Sequence, residues 1–321
     1  MRKRLILLTG FIIVALAVAG CDGIPGGEVH DGQGELVLNI ADRPVNEAEQ
    51  IIVAVDEVQV NREGAAWEVI NDFEEDGGEE EFDLLDLRFD KELLGQETVP
   101  AGEYTQIRLI VAAAEDEAAE NNPPTAGKSR VVFDNEDGNG EEENIFIPSG
   151  MQTGLKIDYN FTVEENSLTE LLLDVDVGDV MHRTGASDKI IMRPTAIDVI
   201  NEEYTENLHG TVLAEADNED DDNYAIDDQD VRIEAYADDE DDPVSSTIAL
   251  AEDDEESDKE AGDFMLRGLE AGTYNLKAFV VDDDGEKNTE EYQSERVEDV
   301  EVNLEKENEL EDDIILERSG N

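Results

Sequence analysis

Cysteine occurs once in these 321 residues, at Cys21. An intrachain disulfide, a thiolate metal cluster and a CxxC redox pair are therefore excluded. Bases are scarce: 22 Lys and Arg stand against 87 Asp and Glu. With no basic footprint the chain is not a nucleic-acid binder, and anionic lipid headgroups repel it apart from any covalent anchor. Tryptophan occurs once, at Trp67, which reads as a core residue. The three histidines, His30, His182 and His209, lie far apart, with no HExxH and no Ser/His or Cys/His pattern. There is no P-loop and no GxGxxG opening a helix. Carboxylate pairs abound, but among 87 acids a pair says nothing about glycosidase chemistry. The expectation is a chain that is not an enzyme.

What is present in excess is negative charge, formally −65. Disorder is one outcome of such acidity, but apolar residues alternate in strand-length blocks through most of the chain. Self-repulsion of this size opposes a compact state unless ions screen it. Arg (13) outnumbers Lys (9), which is scarce for a solvated surface. The composition points to a halophilic protein, adapted to high salt.

Residues 1–20 read as a signal peptide. Arg2-Lys3-Arg4 forms a charged start, Leu5 to Ala17 an apolar run, and Val18-Ala19-Gly20 a small-residue approach to Cys21. A retained spanning helix needs about 20 apolar residues, and this run is shorter. The Val18–Cys21 segment resembles a lipobox. That resemblance implies lipidation of Cys21 and a membrane partner reached through the lipid. Export would place the protein, membrane-anchored, on the extracytoplasmic side of the cell envelope. Each buried methylene contributes about 0.8 kcal/mol, so two or three acyl chains hold firmly. Asp22 resembles an inner-membrane retention signal of diderm bacteria. Residues 21–34 form the lipidated Cys and a Gly-rich tether, of which residues 22–34 span roughly 20 Å on average as flexible coil.

Residues 35–201 carry strand patterns: Leu36, Leu38 and Ile40; Ile51, Val53 and Val55; then Val58 and Val60 on the other face, which predicts a bulge near Asp56-Glu57. Further blocks are Trp67–Val69, Phe82 to Leu87, Tyr104 to Val111, Val131–Phe133, Ile145–Ile147, Leu155–Val163, Leu171–Val177 and Ile190–Ile200. Val99-Pro100-Ala101-Gly102 fits a type I turn, and Glu115–Glu120 suits one short helical turn. Nine or ten strands without a long amphipathic helix predict a β-sandwich. Several segments, in order, carry a family resemblance: Ala41-Asp42-Arg43-Pro44, Leu84-Leu85-Asp86-Leu87, Pro100-Ala101-Gly102-Glu103-Tyr104, Ile147-Pro148-Ser149-Gly150-Met151, Leu173-Asp174-Val175-Asp176 and Arg193-Pro194. This part resembles the domain-of-unknown-function family 4382, which implies a secreted lipoprotein setting and brings no activity with it.

Residues 206–318 start afresh at Leu208-His209-Gly210-Thr211-Val212 after a polar joint. Gly262-Asp263-Phe264-Met265-Leu266-Arg267-Gly268-Leu269-Glu270-Ala271-Gly272-Thr273-Tyr274 then looks like the carboxypeptidase regulatory-like domain, a prealbumin-like, carbohydrate-binding-like β-sandwich without catalytic function. Ala101–Tyr104 and Ala271–Tyr274 share Ala-Gly-x-Tyr, read as one turn-into-strand device used twice. The expected fold class is all-β, two β-sandwich domains in tandem after the signal peptide.

One candidate ligand site stands out. Asp134, Asn135, Asp137, Asn139 and Glu141 put hard oxygen donors on a Gly-bent loop suited to calcium. It is not an EF-hand, since the twelfth position counted from Asn135 is Phe146; solvated acidic loops that bind cations diffusely are the competing reading. Asp217–Asp222 and Asp238–Asp242 lack the Gly bend. No other cofactor is expected. The function expected is a lipid-anchored surface protein of binding or adhesion type, its partner a glycan or an envelope protein. The alternatives are a structural envelope spacer and an accessory subunit of a surface enzyme.

Overall fold

The computed structural model describes residues 32–43, 48–73, 78–112, 128–133, 141–147, 153–181, 183–184, 189–215, 230–237, 240–254, 259–281, 292–294, 296–304 and 306–318. Within it Gly32–Asn321 is one compact unit. The architecture is all-β.

The first thirteen strands are β1 (Gln33–Arg43), β2 (Gln50–Arg62), β3 (Trp67–Asp72), β4 (Glu80–Asp83), β5 (Glu92–Pro100), β6 (Gly102–Val111), β7 (Arg130–Phe133), β8 (Glu141–Asn144), β9 (Leu155–Val163), β10 (Leu168–Asp176), β11 (Arg183–Thr184), β12 (Lys189–Ile190) and β13 (Ile197–Asn201). A four-stranded sheet runs β13-β10-β1-β5, and a seven-stranded one runs β8-β7-β2-β6-β9 with β3 and β4 also on β2. Their inner faces enclose one core, in which Leu36, Leu38, Ile40, Ile107 and Leu109 are fully buried. The period-2 pattern of β1 and β6 puts one face of each inward.

The remaining strands are β14 (Thr205–Ala214), β15 (Val231–Ala237), β16 (Ser245–Ile248), β17 (Asp263–Glu270), β18 (Gly272–Val280), β19 (Tyr292–Ser294), β20 (Val297–Val302), β21 (Asn308–Glu309) and β22 (Ile314–Arg318). They form one nine-stranded sheet, ordered β16-β15-β18-β19-β22-β14-β17 with β20 on β18 and β21 on β14. A second core, including Leu208, Ile233, Phe264, Leu266 and Leu276, lies against it. Only Glu202-Glu203-Tyr204 separates β13 from β14. That link is tied down by the Tyr204 amide donating to the Asn201 carbonyl and by the Thr205 hydroxyl donating to the same carbonyl.

The expected bulge is present: the register of β2 against β6 shifts between Val55 and Glu57. Several expected strands are shorter than the sequence pattern. Leu84–Leu87 is a 3-10 turn, because the Asp83 carboxylate accepts from the Leu85 amide and offers the backbone a local alternative to the ladder. Leu84 and Leu87 then share the buried side. Ile145–Ile147 reduces to a single bridge, Phe146 to Ile191. Pro194–Ala196 is another 3-10 turn that interrupts the 190–200 block, since proline cannot donate to a ladder. Val177–Met181 is a short helix. The segment 115–120 lies outside the described residues.

Trp67 departs from expectation too: it is half-buried on β3, not in the core. The Arg108 guanidinium lies 4.0 Å from its ring centroid and the Lys156 ammonium 6.0 Å. Cation–π contact on an outer face holds it there.

The shared Ala-Gly-x-Tyr is a tyrosine corner in both places. The Tyr104 hydroxyl donates to the Pro100 carbonyl at 2.7 Å, and the Tyr274 hydroxyl to the Glu270 carbonyl at 2.8 Å. Gly102 has φ +148°, a conformation that favours glycine and lets the chain leave β5 and enter β6 of the other sheet within one residue.

Candidate functional site

The most unusual chemistry lies where the two cores meet. Asp42 is on β1 and Asp174 on the parallel neighbour β10, where Asp174 pairs with Ala41. Arg88 caps the Leu84–Leu87 turn. Arg267 comes from β17 of the second core. These charges are buried: Asp42 is 1% exposed, Asp174 2% and Arg267 7%.

Arg267 Nη2 lies 2.9, 2.9 and 3.0 Å from the carbonyl oxygens of Leu87, Arg88 and Asp90. Two protons are shared among three acceptors, so the contacts are partly bifurcated. The carbonyls are those a helical turn leaves unsatisfied at its end. Arg267 Nε sits 4.0 Å from Asp174 Oδ1. Gly268 follows with φ +72°, where a Cβ would stand 3.0 Å from Ile200 Cδ1 on β13. Glycine there lets β17 approach β13 closely enough for Arg267 to reach across.

Burial pushes the Asp42 carboxyl well above the usual carboxylate range; Arg88 pulls it down, Asp174 pushes it up, Arg267 pulls it down and Asp176 pushes it up. Both Asp42 oxygens lack a hydrogen-bond partner among the described residues. Burial lowers both guanidinium groups, opposed by carboxylates that include Asp42. An arginine stays charged through such shifts, so the cluster sets two cations against two acids, with Asp42, Asp174 and Arg267 buried and Arg88 half-buried.

Beside this cluster opens a cleft of about 410 Å³. It is lined by Ile157, Asp158 and Tyr159 of β9, by Ile197 to Ile200 of β13, by Val244 and Ser245 at β16, and by Arg267 and Gly268. The Ser245 hydroxyl donates to the Arg267 carbonyl at 2.9 Å. Tyr159 stacks on Phe161 with centroids 6.2 Å apart, and burial raises its hydroxyl. Asp158 accepts from the Gln106 amide at 2.6 Å.

Cys21, Asp134, Asn135, Asp137 and Asn139 lie outside the described residues. Glu141 is described: it is exposed on β8 and pairs with Phe133. Among the described residues no group of three or more His, Cys, Asp or Glu is placed to hold a metal ion, and no helix is long and apolar enough to cross a membrane. His30 and His182 also fall outside. His209 is described on β14, half-buried, with its imidazole lowered first by burial and then by Lys259.

Sequence reasoning missed the charged cluster. The signal was weak but present: Asp174 falls inside an apolar block and Arg267 between Leu266 and Gly268. A charge at a strand position meant for the core needs a partner.

A family model for a domain of unknown function, DUF4382, matches residues 33–194. No curated protein matches the chain. Among solved structures, GBS52, the minor pilin of the Gram-positive pathogen Streptococcus agalactiae, is similar at 12% identity, covering 89% of this chain and 97% of that chain with a TM-score of 0.22. A mutant of the shaft pilin spaA from Lactobacillus rhamnosus GG gives 9% identity, 90% and 99% coverage and a TM-score of 0.21. A candidate adhesin from Bacteroides ovatus gives 10% identity, 95% and 99% coverage and a TM-score of 0.22.

Proposed function

The chain belongs to the DUF4382 family, and from that premise we propose that it is an exported, non-enzymatic surface protein of binding or adhesion type, held to a membrane by lipid on Cys21. The observation that carries this reading is Arg267. Strongly perturbed titratable groups are where catalysis is sought first. Here Asp42 and Arg267 are buried with Arg88 half-buried, and the Arg267 guanidinium is directed at backbone carbonyls and at Asp174. Arg267 borders the cleft, but its Nη2 is taken up by three backbone carbonyls and its Nε faces Asp174. The work of these groups is to hold two β lobes as one body, which suits a protein that presents surfaces. A glycan or an envelope protein is the partner class we propose, with calcium at Asp134–Glu141 as an aid to binding. The short tied link between β13 and β14 also suits a structural spacer.

Two measurements test this. Cells expressing the wild type or Cys21→Ser are labelled with a fatty-acid analogue and fractionated. The wild type is expected to take label and sediment with membranes, and Cys21→Ser to do neither; equal behaviour overturns the anchor. The purified Cys21→Ser protein is then applied to a cell-wall polysaccharide and glycan array in molar KCl, with and without Ca²⁺. Saturable binding supports the binding reading, and a Ca²⁺ requirement makes Asp134–Glu141 a site. Absence of binding to any glycan favours the spacer or a protein partner.

A further inference from the structure

Four sheet edges converge on the cleft. Among the described residues β9 pairs only with β6, β13 only with β10, β16 only with β15 and β17 only with β14. On a pleated strand successive side chains point to opposite faces. Four consecutive residues of β13, Ile197 to Ile200, nonetheless border the one cleft. What faces the cleft is therefore the edge of β13, not one of its faces. Along such an edge alternate residues turn their N–H and C=O groups away from the neighbouring strand. Here the Ile197 N–H already donates to the Pro194 carbonyl and the Asn201 carbonyl accepts from Tyr204 and Thr205, so the pairing groups are those of Val199 and the Asn201 N–H.

The four edges are not equivalent. The register of β9 against β6 slips between Tyr104 and Gln106, and that of β17 against β14 slips at Arg267-Gly268, bulges that spoil both as templates. Of β16 only Ser245 borders the cleft, its hydroxyl bonded to the Arg267 carbonyl. By contrast β13 runs in unbroken register with β10 from Ile197 to Asn201 and borders the cleft with four residues. The walls supply what a side chain needs: Tyr159 and Val199 are half-buried and apolar, and Val244 is 49% exposed. Two carboxylates, Asp158 and Asp198, stand at the same cleft. Edges are protected against indiscriminate pairing by charge. Acids here, on a chain of net charge −65, turn away a second copy of this protein and favour a cationic strand.

We propose that the cleft is a docking site for an extended, basic segment of a partner protein, which adds a strand to β13 and seats an apolar side chain between Tyr159 and Val244. The mode is β-augmentation: main-chain hydrogen bonds hold the segment and alternate side chains select it. This deepens the binding reading above and rests on it, but it depends neither on the lipid anchor nor on calcium.

The test uses the Cys21→Ser chain in molar KCl and a capped heptapeptide alternating Lys and Val. Two further probes are its Glu/Val counterpart and the same Lys/Val peptide N-methylated at alternate amides. Saturable binding of the Lys/Val peptide is expected, with new amide-exchange protection at Val199 and Asn201. Loss of one or two backbone hydrogen bonds should weaken the N-methylated peptide about tenfold or more. The Glu/Val peptide should bind weakest. Val244→Lys and Asp198→Lys should each weaken the Lys/Val peptide, while Val69→Lys, on an exposed position of β3, should not. Equal binding of the N-methylated peptide would mean charge attraction alone and overturns strand addition. Failure of any peptide to protect Val199 and Asn201 overturns the site, and so does glycan binding abolished by Val244→Lys. Neither result touches the lipidation or array measurements, so the broader reading stands or falls separately.

Discussion

At the scale of single residues, Asp42 is the position where burial and charge conflict most. Its carboxyl is 1% exposed and without a hydrogen-bond partner among the described residues. Burial raises its proton affinity in the folded state. A raised acid contributes stability that is fully present below the unfolded carboxylate pKa and is lost as pH rises through the folded value. Asparagine cannot titrate. The penalty of Asp42→Asn is therefore expected to be larger at about pH 4.5 than at about pH 8, measured by denaturant melts in molar KCl. A penalty that grows with pH would mean that Asp42 is ionised and that its charge holds Arg88 and Arg267. Single residues were also where sequence reading went astray. Trp67 has the composition of a core residue, and only the three-dimensional arrival of Arg108 and Lys156 makes an outer position stable for it. Tyr104 and Tyr274, by contrast, are legible, because the turn and the strand entry are both local; the hydroxyl bond four residues back is what the structure adds to that turn-into-strand device.

At the scale of elements, alternation carried most of the information. β6 and β9 coincide with period-2 apolar patterns because one face of each is buried, while β2 and β15 bury both faces over Ile51–Val55 and Ile233–Tyr236. Elements failed to appear as strands where a local bond or a proline intervened, as at Asp83 and Pro194. The joint was not legible, since Arg267 meets the Leu87 carbonyl across 180 residues of sequence. That joint makes its own prediction. Removing one partner from a buried charged cluster strands the rest, at about 3–5 kcal/mol. Arg267→Met is expected to cost this order and to split calorimetric unfolding into two transitions, one for each core. Arg267→Lys should not restore a single transition, because an ammonium lacks the planar fork. One unchanged transition in Arg267→Met would show that apolar packing, such as Ile200 against Gly268, couples the lobes without the charge.

At the scale of the whole molecule, two electrostatic effects oppose each other as salt is added. Ion pairs such as Lys91 with Glu170 and Glu202, and Arg130 with Glu81, weaken under screening. Exposed pairs of this kind contribute only about 0–1 kcal/mol each. Self-repulsion weakens too, and it is the larger quantity. With 22 bases for 87 acids, one-to-one pairing leaves most carboxylates uncompensated. The Debye length falls from about 10 Å at 0.1 M to about 3 Å at 1 M, which is shorter than most spacings between surface acids. Relief of repulsion should therefore win. The melting temperature is expected to rise steeply from dilute buffer to molar KCl, with cooperative unfolding only at the upper end. Comparing KCl with choline chloride at equal ionic strength separates the causes: an equal rise with both is screening, and a rise with KCl alone is site binding of the small cation. A melting temperature that does not respond to either salt would remove the case for a halophilic protein and require the excess acids to be spaced widely enough to ignore one another.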